Sequence, residues 1–253
     1  MRTIFRWYLN SFLGKLADRI GMPAEVADRL LLLAGRQAAW QLRNQRNIST
    51  FEDIEFRVFS QWGEDGIVEW LLQNIPIKHK SFVEFGVESF REANTRFLLE
   101  NRNWRGLVMD GSESNMQALR TKNLYWMYDL TAVTEFITRE NINHIISSNG
   151  FAGDLGILSI DIDGNDYWVM EAINCVNPSI IICEYNPIFG DKYPVVVPYE
   201  PKFTRFDAHH SGLYFGAQLR QLNCLPKRKG MSLSGQIQME LMLFLCGRIC
   251  SNI

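Results

Sequence analysis

The stretch "LSIDIDGNDYW", residues 158 to 168, places Asp161, Asp163 and Asp166 directly behind an apolar run, and "SIIICEYN" ends a later run with Glu184 and Asn186. Successive side chains alternate along a strand, so residues two apart share a face. On that spacing Asp161 and Asp163 point the same way, with Gly164 making the turn, and Glu184 and Asn186 repeat the geometry. If the two strands are neighbours, four oxygen-bearing side chains converge. Mg²⁺ takes a few oxygen ligands and keeps waters for a substrate, which makes Asp163, Glu184 and Asn186 candidate ligands. Without an ion, Asp163 or Glu184 is a candidate general base. The structural alternative has Asp163 capping the next helix and Glu184 meeting an arginine. A calcium loop fails, because counting from Asp161 the glycine falls fourth instead of sixth and Ala172 stands where a bidentate Glu belongs.

These residues need elements to place them. From residue 81 onward, "SFVEFGV", "RGLVMDGS", "LYWMYDL", "LGILSIDID" and "SIIICEYN" read as buried strands separated by helical or turn segments. Apolar strands alternating with helices imply an α/β, doubly wound, mainly parallel sheet covered on both faces. Ligands of such sheets bind outside the carboxyl ends of the strands. On this reading that rim collects Glu84 and Gly86, Asp110, Asp129, Asp161 and Asp163, and Glu184 and Asn186. Asp110 follows Gly86 at the spacing at which an acid accepts hydrogen bonds from a ribose diol, although an Asp-Gly pair also makes a turn. Upstream, "SQWGEDGIVEWLLQNI" reads as a helix with Ile67, Val68, Leu71 and Leu72 on one side and Glu64 and Asp65 near its positive end.

Four ordered motifs, "SQWGEDGIVEWLL", "FVEFGVESFREANTRFLLENRNWRGLVMDGS", "LGILSIDIDGNDYWVMEAI" and "IIICEYNPIFGD", lie within roughly residues 55 to 220. Together they resemble FkbM-type class I methyltransferases, and more closely a related bacterial branch. The resemblance implies a Rossmann-like sheet of seven strands, S-adenosyl-L-methionine as methyl donor, and O-methylation of a sugar or glycan, a polyketide or another secondary metabolite. By the family pattern Gln61, Glu84, Gly86, Asn94, Asp110 and Asp161 lie around the cofactor. Asp129 falls where this fold usually holds the adenine amino group, with a helix N-cap as the alternative. Certain methyltransferases use Mg²⁺ to orient and acidify a hydroxyl. Glu88 and Phe90 replace the further glycines of a fuller glycine-rich loop, which is tolerable for a ligand without phosphate and disfavours an NAD(P)-linked oxidoreductase. The tail "KGMSLSGQIQMELMLFLCGRICSNI" departs from the Gly-Tyr strand and Asn-rich stretch of that branch. A noncatalytic S-adenosylmethionine-binding or interaction protein is the competing reading.

The remaining features set bounds. The 253 residues are 47% hydrophobic and 21% charged, a globular profile, and the net charge of -2 supplies no global field for nucleic acid. Five cysteines without a CxxC pair suggest neither a disulfide framework nor a zinc knuckle, and fit a reducing, cytoplasmic setting. No apolar run spans a bilayer and no signal peptide is recognised. Residues 1 to about 50 read as a helical extension and 51–253 as the methyltransferase domain. Within residues 1–20, Ile4, Phe5, Tyr8, Phe12, Leu16 and Ile20 recur at helical spacing, fitting a helix on the main domain or a partner subunit, or a peripheral membrane contact. His209 and His210 read as loop residues, Tyr167 and Trp168 as helix packing, and Pro187, Asp191 and Tyr193 as parts of a loop able to cover an acceptor.

Overall fold

The computed structural model describes residues 23–45, 47–190, 192–228, 235–239 and 242–246. The amphipathic stretch 1–20 and Asp191 lie outside the described residues. The described chain divides into two compact units, one from the residues up to Pro76 together with Phe90–Asn103, the other from Ile77–Ser89 and the residues from Trp104 on.

The first unit is helical. It contains α1 (Ala24–Asn44), α2 (Glu64–Asn74) and α3 (Arg96–Arg102). Helix α1 buries Gly35, Ala39 and Leu42. A Cβ at Gly35 would meet Val58 Cγ2 at 2.4 Å and Phe97 Cε2 at 2.8 Å, so glycine sets how closely this helix approaches. The acids expected at the start of α2 have specific tasks. The Asp65 Oδ2 atom accepts from the backbone N–H groups of Val58, Phe59 and Ser60 and from Ser60 Oγ. Glu64 accepts from the Trp62 N–H. Two buried charges are paired within this unit: Arg96 with Asp28 and Glu100, and Glu69 with Arg102.

The second unit is a seven-stranded sheet with helices. Its strands are β1 (Ser81–Phe85), β2 (Arg105–Asp110), β3 (Leu130–Thr134), β4 (Gly153–Ile160), β5 (Val176–Glu184), β6 (Gly235–Met239) and β7 (Met242–Cys246), in the order 3-2-1-4-5-7-6. The first five run parallel, β7 pairs antiparallel with β5, and β6 pairs antiparallel with β7. The α/β, doubly wound, mainly parallel expectation therefore holds. The order departs from the 3-2-1-4-5-6 of dinucleotide-binding sheets in the antiparallel β7 set between β5 and β6. That strand comes from the tail that diverges from the family pattern, and it buries Met242, Leu243, Phe244 and Leu245.

Helices α4 (Glu113–Arg120), α5 (Asn123–Met127), α6 (Ile142–Ser148), α7 (Asp166–Ala172), α8 (Arg205–Ala208) and α9 (Leu219–Arg228) complete the described elements of this unit. One apolar core joins Val83 and Phe85, Leu107 and Met109, Leu158 and Ile160, and Ile181 and Cys183 to the inner faces of α6, α7 and α9. Alternate strand residues face the other way, among them Glu84 and Ser159, both buried and joined by a 3.2 Å bond from Ser159 Oγ to Glu84 Oε1. Chain order reverses between β1 and β4, which are neighbours. Their carboxyl ends mark the switch point where ligands of open α/β sheets bind.

One expected strand is absent. "LYWMYDL" forms α5 and a turn, and the strand is the following "LTAVT". A short apolar run does not distinguish a strand from a helical turn by its pattern alone.

Candidate active site

The turn after β4 is held by a carboxylate that belongs to neither strand. Asp166, at the start of α7 and fully buried, accepts from the Ile162 N–H through Oδ1 and from the Gly164 N–H through Oδ2, both at 2.9 Å. Burial pushes its carboxyl up to about 6, against the pull of those N–H donors. The turn differs from the expected one in two respects: strand β4 ends at Ile160, before both acids, and the left-handed residue of the turn is Asp163, at φ +57°, with Gly164 not at positive φ. Asparagine and aspartate tolerate that region better than most residues. Gly164 serves close packing instead, since a Cβ there would stand 2.1 Å from the Phe203 ring.

Asp161, Asp163 and Glu184 nevertheless converge: one ligand oxygen from each lies within 4.8 Å of the other two. They span a gradient of exposure, with Glu184 buried, Asp161 half-buried and Asp163 open to solvent. Glu184 Oε2 is buried without a hydrogen-bond partner. Burial, reinforced by the charges of Asp161, Asp166 and Asp163, pushes the Glu184 carboxyl up to about 10. Desolvation, followed by the charges of Asp166, Asp163 and Glu84, likewise raises Asp161 well above the usual carboxylate range. Without added positive charge the Glu184 carboxyl therefore keeps its proton at neutral pH. Glu184 is then a hydrogen-bond donor instead of the free base its sequence position suggested. Arg205, on α8, forms an ion pair with Asp163 and stacks 4.2 Å above the Phe215 ring.

Asn186 sits at the same rim with a different task. Its amide nitrogen donates to the Leu213 and Phe215 carbonyls at 2.9 and 3.1 Å, and its oxygen accepts from the Ile188 N–H at 3.0 Å. It fixes the 3-10 turn Pro187–Phe189 against the 213–215 segment.

On the other side of the switch point, Gly86 has φ +72°, and a Cβ there would lie 1.7 Å from the Asp161 carbonyl oxygen. The group that comes close to Gly86 is thus the acid turn itself. Asp110, at the end of β2, accepts from the Glu88 N–H and the Ser112 N–H, both at 2.8 Å, and from Asn115 Nδ2 at 3.4 Å. It ties the Gly86 loop to the start of α4. A carboxylate has about four acceptor positions, which leaves room for a further donor such as a ribose hydroxyl.

Asp129 moves to the opposite edge. It precedes β3, is exposed, and faces Arg105 at 3.7 Å, so it lies at the amino end of the sheet, away from the rim that carries Asp110 and Asp161. The carboxyl end of β3 instead leads to Glu135 and the exposed ring of Phe136, next to Gly111. Gln61 and Asn94 belong to the helical unit. Gln61 is exposed before α2, and Asn94 is buried shortly before α3.

No family model matches the chain, and no curated protein matches it. Similar solved structures include an O-methyltransferase from Bacillus cereus in complex with SAH, at 12% identity and a TM-score of 0.45, with 92% of this chain and 96% of that one aligned. A S-adenosylmethionine-dependent methyltransferase from Clostridium acetobutylicum aligns over 73% of this chain and 91% of its own, at 8% identity and a TM-score of 0.43. The CurJ carbon methyltransferase aligns at 13% identity and a TM-score of 0.43 over 72% of this chain, which spans about half, 51%, of that one's length.

Arg205 and Asp166 are the site residues that the sequence did not disclose. Arg205 lies 42 residues from its partner Asp163 with no motif around it. Asp166 was visible beside the other acids, yet nothing in its spacing marks it as the residue that pins the turn. Tyr167 and Trp168 pack as expected on α7, edge to face at 5.1 Å, with Trp168 Nε1 donating to the Val197 carbonyl. His209 and His210 stack on each other in a loop, and His209 pairs with Ser211.

Proposed function

We propose that the protein is an S-adenosyl-L-methionine-dependent methyltransferase acting on a hydroxyl of a glycan or another small molecule. The observation that carries this reading is the acidic rim across the β1/β4 switch point: Glu88, Asp110 and Asp163, with Asp161 and Glu184 able to give up protons to added positive charge, favour a cationic ligand and oppose a phosphate-bearing one. The loop after β1 adds to it. The Glu88 N–H, which a dinucleotide site would aim at pyrophosphate, is given to Asp110, and Glu88 and Phe90 hold positive φ where glycines would stand.

When bound, S-adenosyl-L-methionine supplies the sulfonium methyl group: the acceptor oxygen bonds to that carbon as the sulfur–methyl bond breaks, and the acceptor's proton leaves. The protein's own task is to bind, align and take that proton. Asp110 offers its remaining acceptor capacity to a ribose hydroxyl, and the exposed ring of Phe136 flanks the same crevice. Asp163, the solvent-facing acid, accepts the acceptor's proton. Glu184, protonated at neutral pH, is the hydrogen-bond donor that orients the acceptor. Most of the barrier reduction in such a transfer comes from alignment.

The trio also suits a divalent ion such as Mg²⁺, because one oxygen from each of three acids lies within 4.8 Å of the others, and the buried member, Glu184, keeps an oxygen without a partner. Asp161, Asp163 and Glu184 would hold it, and when bound it supplies a Lewis acid that acidifies the acceptor hydroxyl. Calorimetric titration with S-adenosyl-L-methionine and with NAD tests the proposal. Binding of the first and not of the second is expected, and absence of S-adenosyl-L-methionine binding overturns it.

A further inference from the structure

The acid turn is joined to the segment that follows β5 by contacts of two kinds. The first is backbone: the Gly216 N–H donates to the Gly164 carbonyl at 3.1 Å, with Phe203 lying on Gly164. The second is ionic. Arg205 reaches Asp163 with Nη1, donates through Nε to the Gly212 carbonyl at 2.9 Å, and rests on Phe215. One guanidinium thus bridges a ligand-type carboxylate and the backbone of a segment that exposes Phe206, Leu213 and Tyr214 beside Asp207, His209 and His210.

The same carboxylate belongs to the trio in which Glu184 Oε2, on a residue only 6% exposed, has no partner. The trio therefore lacks positive charge at its buried end while its exposed end already carries one. A dication seated among the three acids would meet Arg205 across a single solvent-facing carboxylate, where the two like charges repel and compete for the same oxygens.

We propose that Arg205 is the resident counter-charge of the Asp161, Asp163 and Glu184 trio, and that a divalent cation enters by displacing it, which releases the 205–213 segment from the acid turn. Cation binding would then be coupled to the loop that borders the acceptor side. This rests on the proposed methyl-transfer site only for its purpose, since the exchange of one cation for another requires no methyl donor.

Mn²⁺, which shares the oxygen preference of Mg²⁺ and is detected by electron paramagnetic resonance, is titrated into the full chain without S-adenosyl-L-methionine. Arg205→Gln should bind Mn²⁺ at least tenfold more tightly than the parent, and Arg205→Lys, which keeps the charge, should gain less. In the parent, hydrogen exchange of peptides spanning 204–216 should quicken on Mn²⁺ addition, because the Gly212 N–H to His209 carbonyl bond lies in the released stretch. Equal Mn²⁺ affinity in parent and Arg205→Gln, unchanged exchange in the parent with Mn²⁺ bound, or no Mn²⁺ binding to either chain overturns the proposal. S-adenosyl-L-methionine binding, measured separately, keeps the methyltransferase reading standing in each of those cases.

Discussion

Replacing Glu184 with glutamine should stabilise the protein, and by more as the pH rises. The folded chain holds this carboxyl at about 10, whereas an unperturbed glutamate titrates near 4.5. Between those values the native state binds a proton that the unfolded chain releases, so this group's contribution to stability is complete below pH 4.5 and is lost as pH climbs toward 10. At about 1.4 kcal/mol per pH unit the loss reaches at most ~3 kcal/mol at pH 7 and ~5 kcal/mol at pH 8. Glutamine keeps the shape and a donor but has no proton to surrender. Urea unfolding in EDTA, followed by circular dichroism at pH 6, 7 and 8, should show the advantage of Glu184→Gln over the parent widening by ~1 to 3 kcal/mol across that range. A gap that stays constant from pH 6 to 8 would refute the claim that Glu184 is protonated in the folded chain.

Gly86→Ala combines a left-handed φ with a Cβ 1.7 Å from the Asp161 carbonyl, so it should lower the melting temperature and weaken S-adenosyl-L-methionine binding together. Asp110→Asn removes the charged acceptor of the Glu88 and Ser112 N–H groups; calorimetry should show S-adenosyl-L-methionine affinity falling by about tenfold, the scale of one charge-assisted bond. In the helical unit, Glu69→Ala removes the buried partner of Arg102 and should destabilise the protein in urea unfolding, by less than the ~3–5 kcal/mol of a fully buried pair because Arg102 keeps contact with water, without altering Mn²⁺ affinity. EDTA should depress methyl transfer and added Mg²⁺ restore it, and unchanged turnover would show that no ion is needed.

The strands at the centre of the sheet were legible because each is an apolar run closed by a polar rim, and both Glu84 and Asp110 follow from that pattern. Where the reading failed, the pattern was degenerate. Leu124, Tyr125, Trp126 and Met127 are as compatible with a helical turn as with a strand, and taking them as a strand carried Asp129 to the wrong edge of the sheet. Alternation predicted that Asp161 and Asp163 share a face because both belong to β4. They do meet Glu184, but β4 ends before them, and the convergence is produced by Asp166 and a left-handed Asp163. The strand-end position of Asn186 offers its oxygen as a ligand, but that oxygen accepts from the Ile188 N–H. Arg205 was out of reach of any local argument, because its partner is chosen by the path of the 186–216 segment, which only tertiary packing determines.

There is no space for even a methyl group between Gly86 and the Asp161 carbonyl. The exits of β1 and β4 are therefore fitted to each other like two faces of a single casting, and the distance from the donor loop to the acids cannot be tuned by moving either one alone. Change of acceptor in related chains should consequently fall on the segment after β5, which carries the exposed rings and can be recut without disturbing that seat. Under the proposed methyl transfer, substitutions near Gly86 would shift donor and acceptor positions at once.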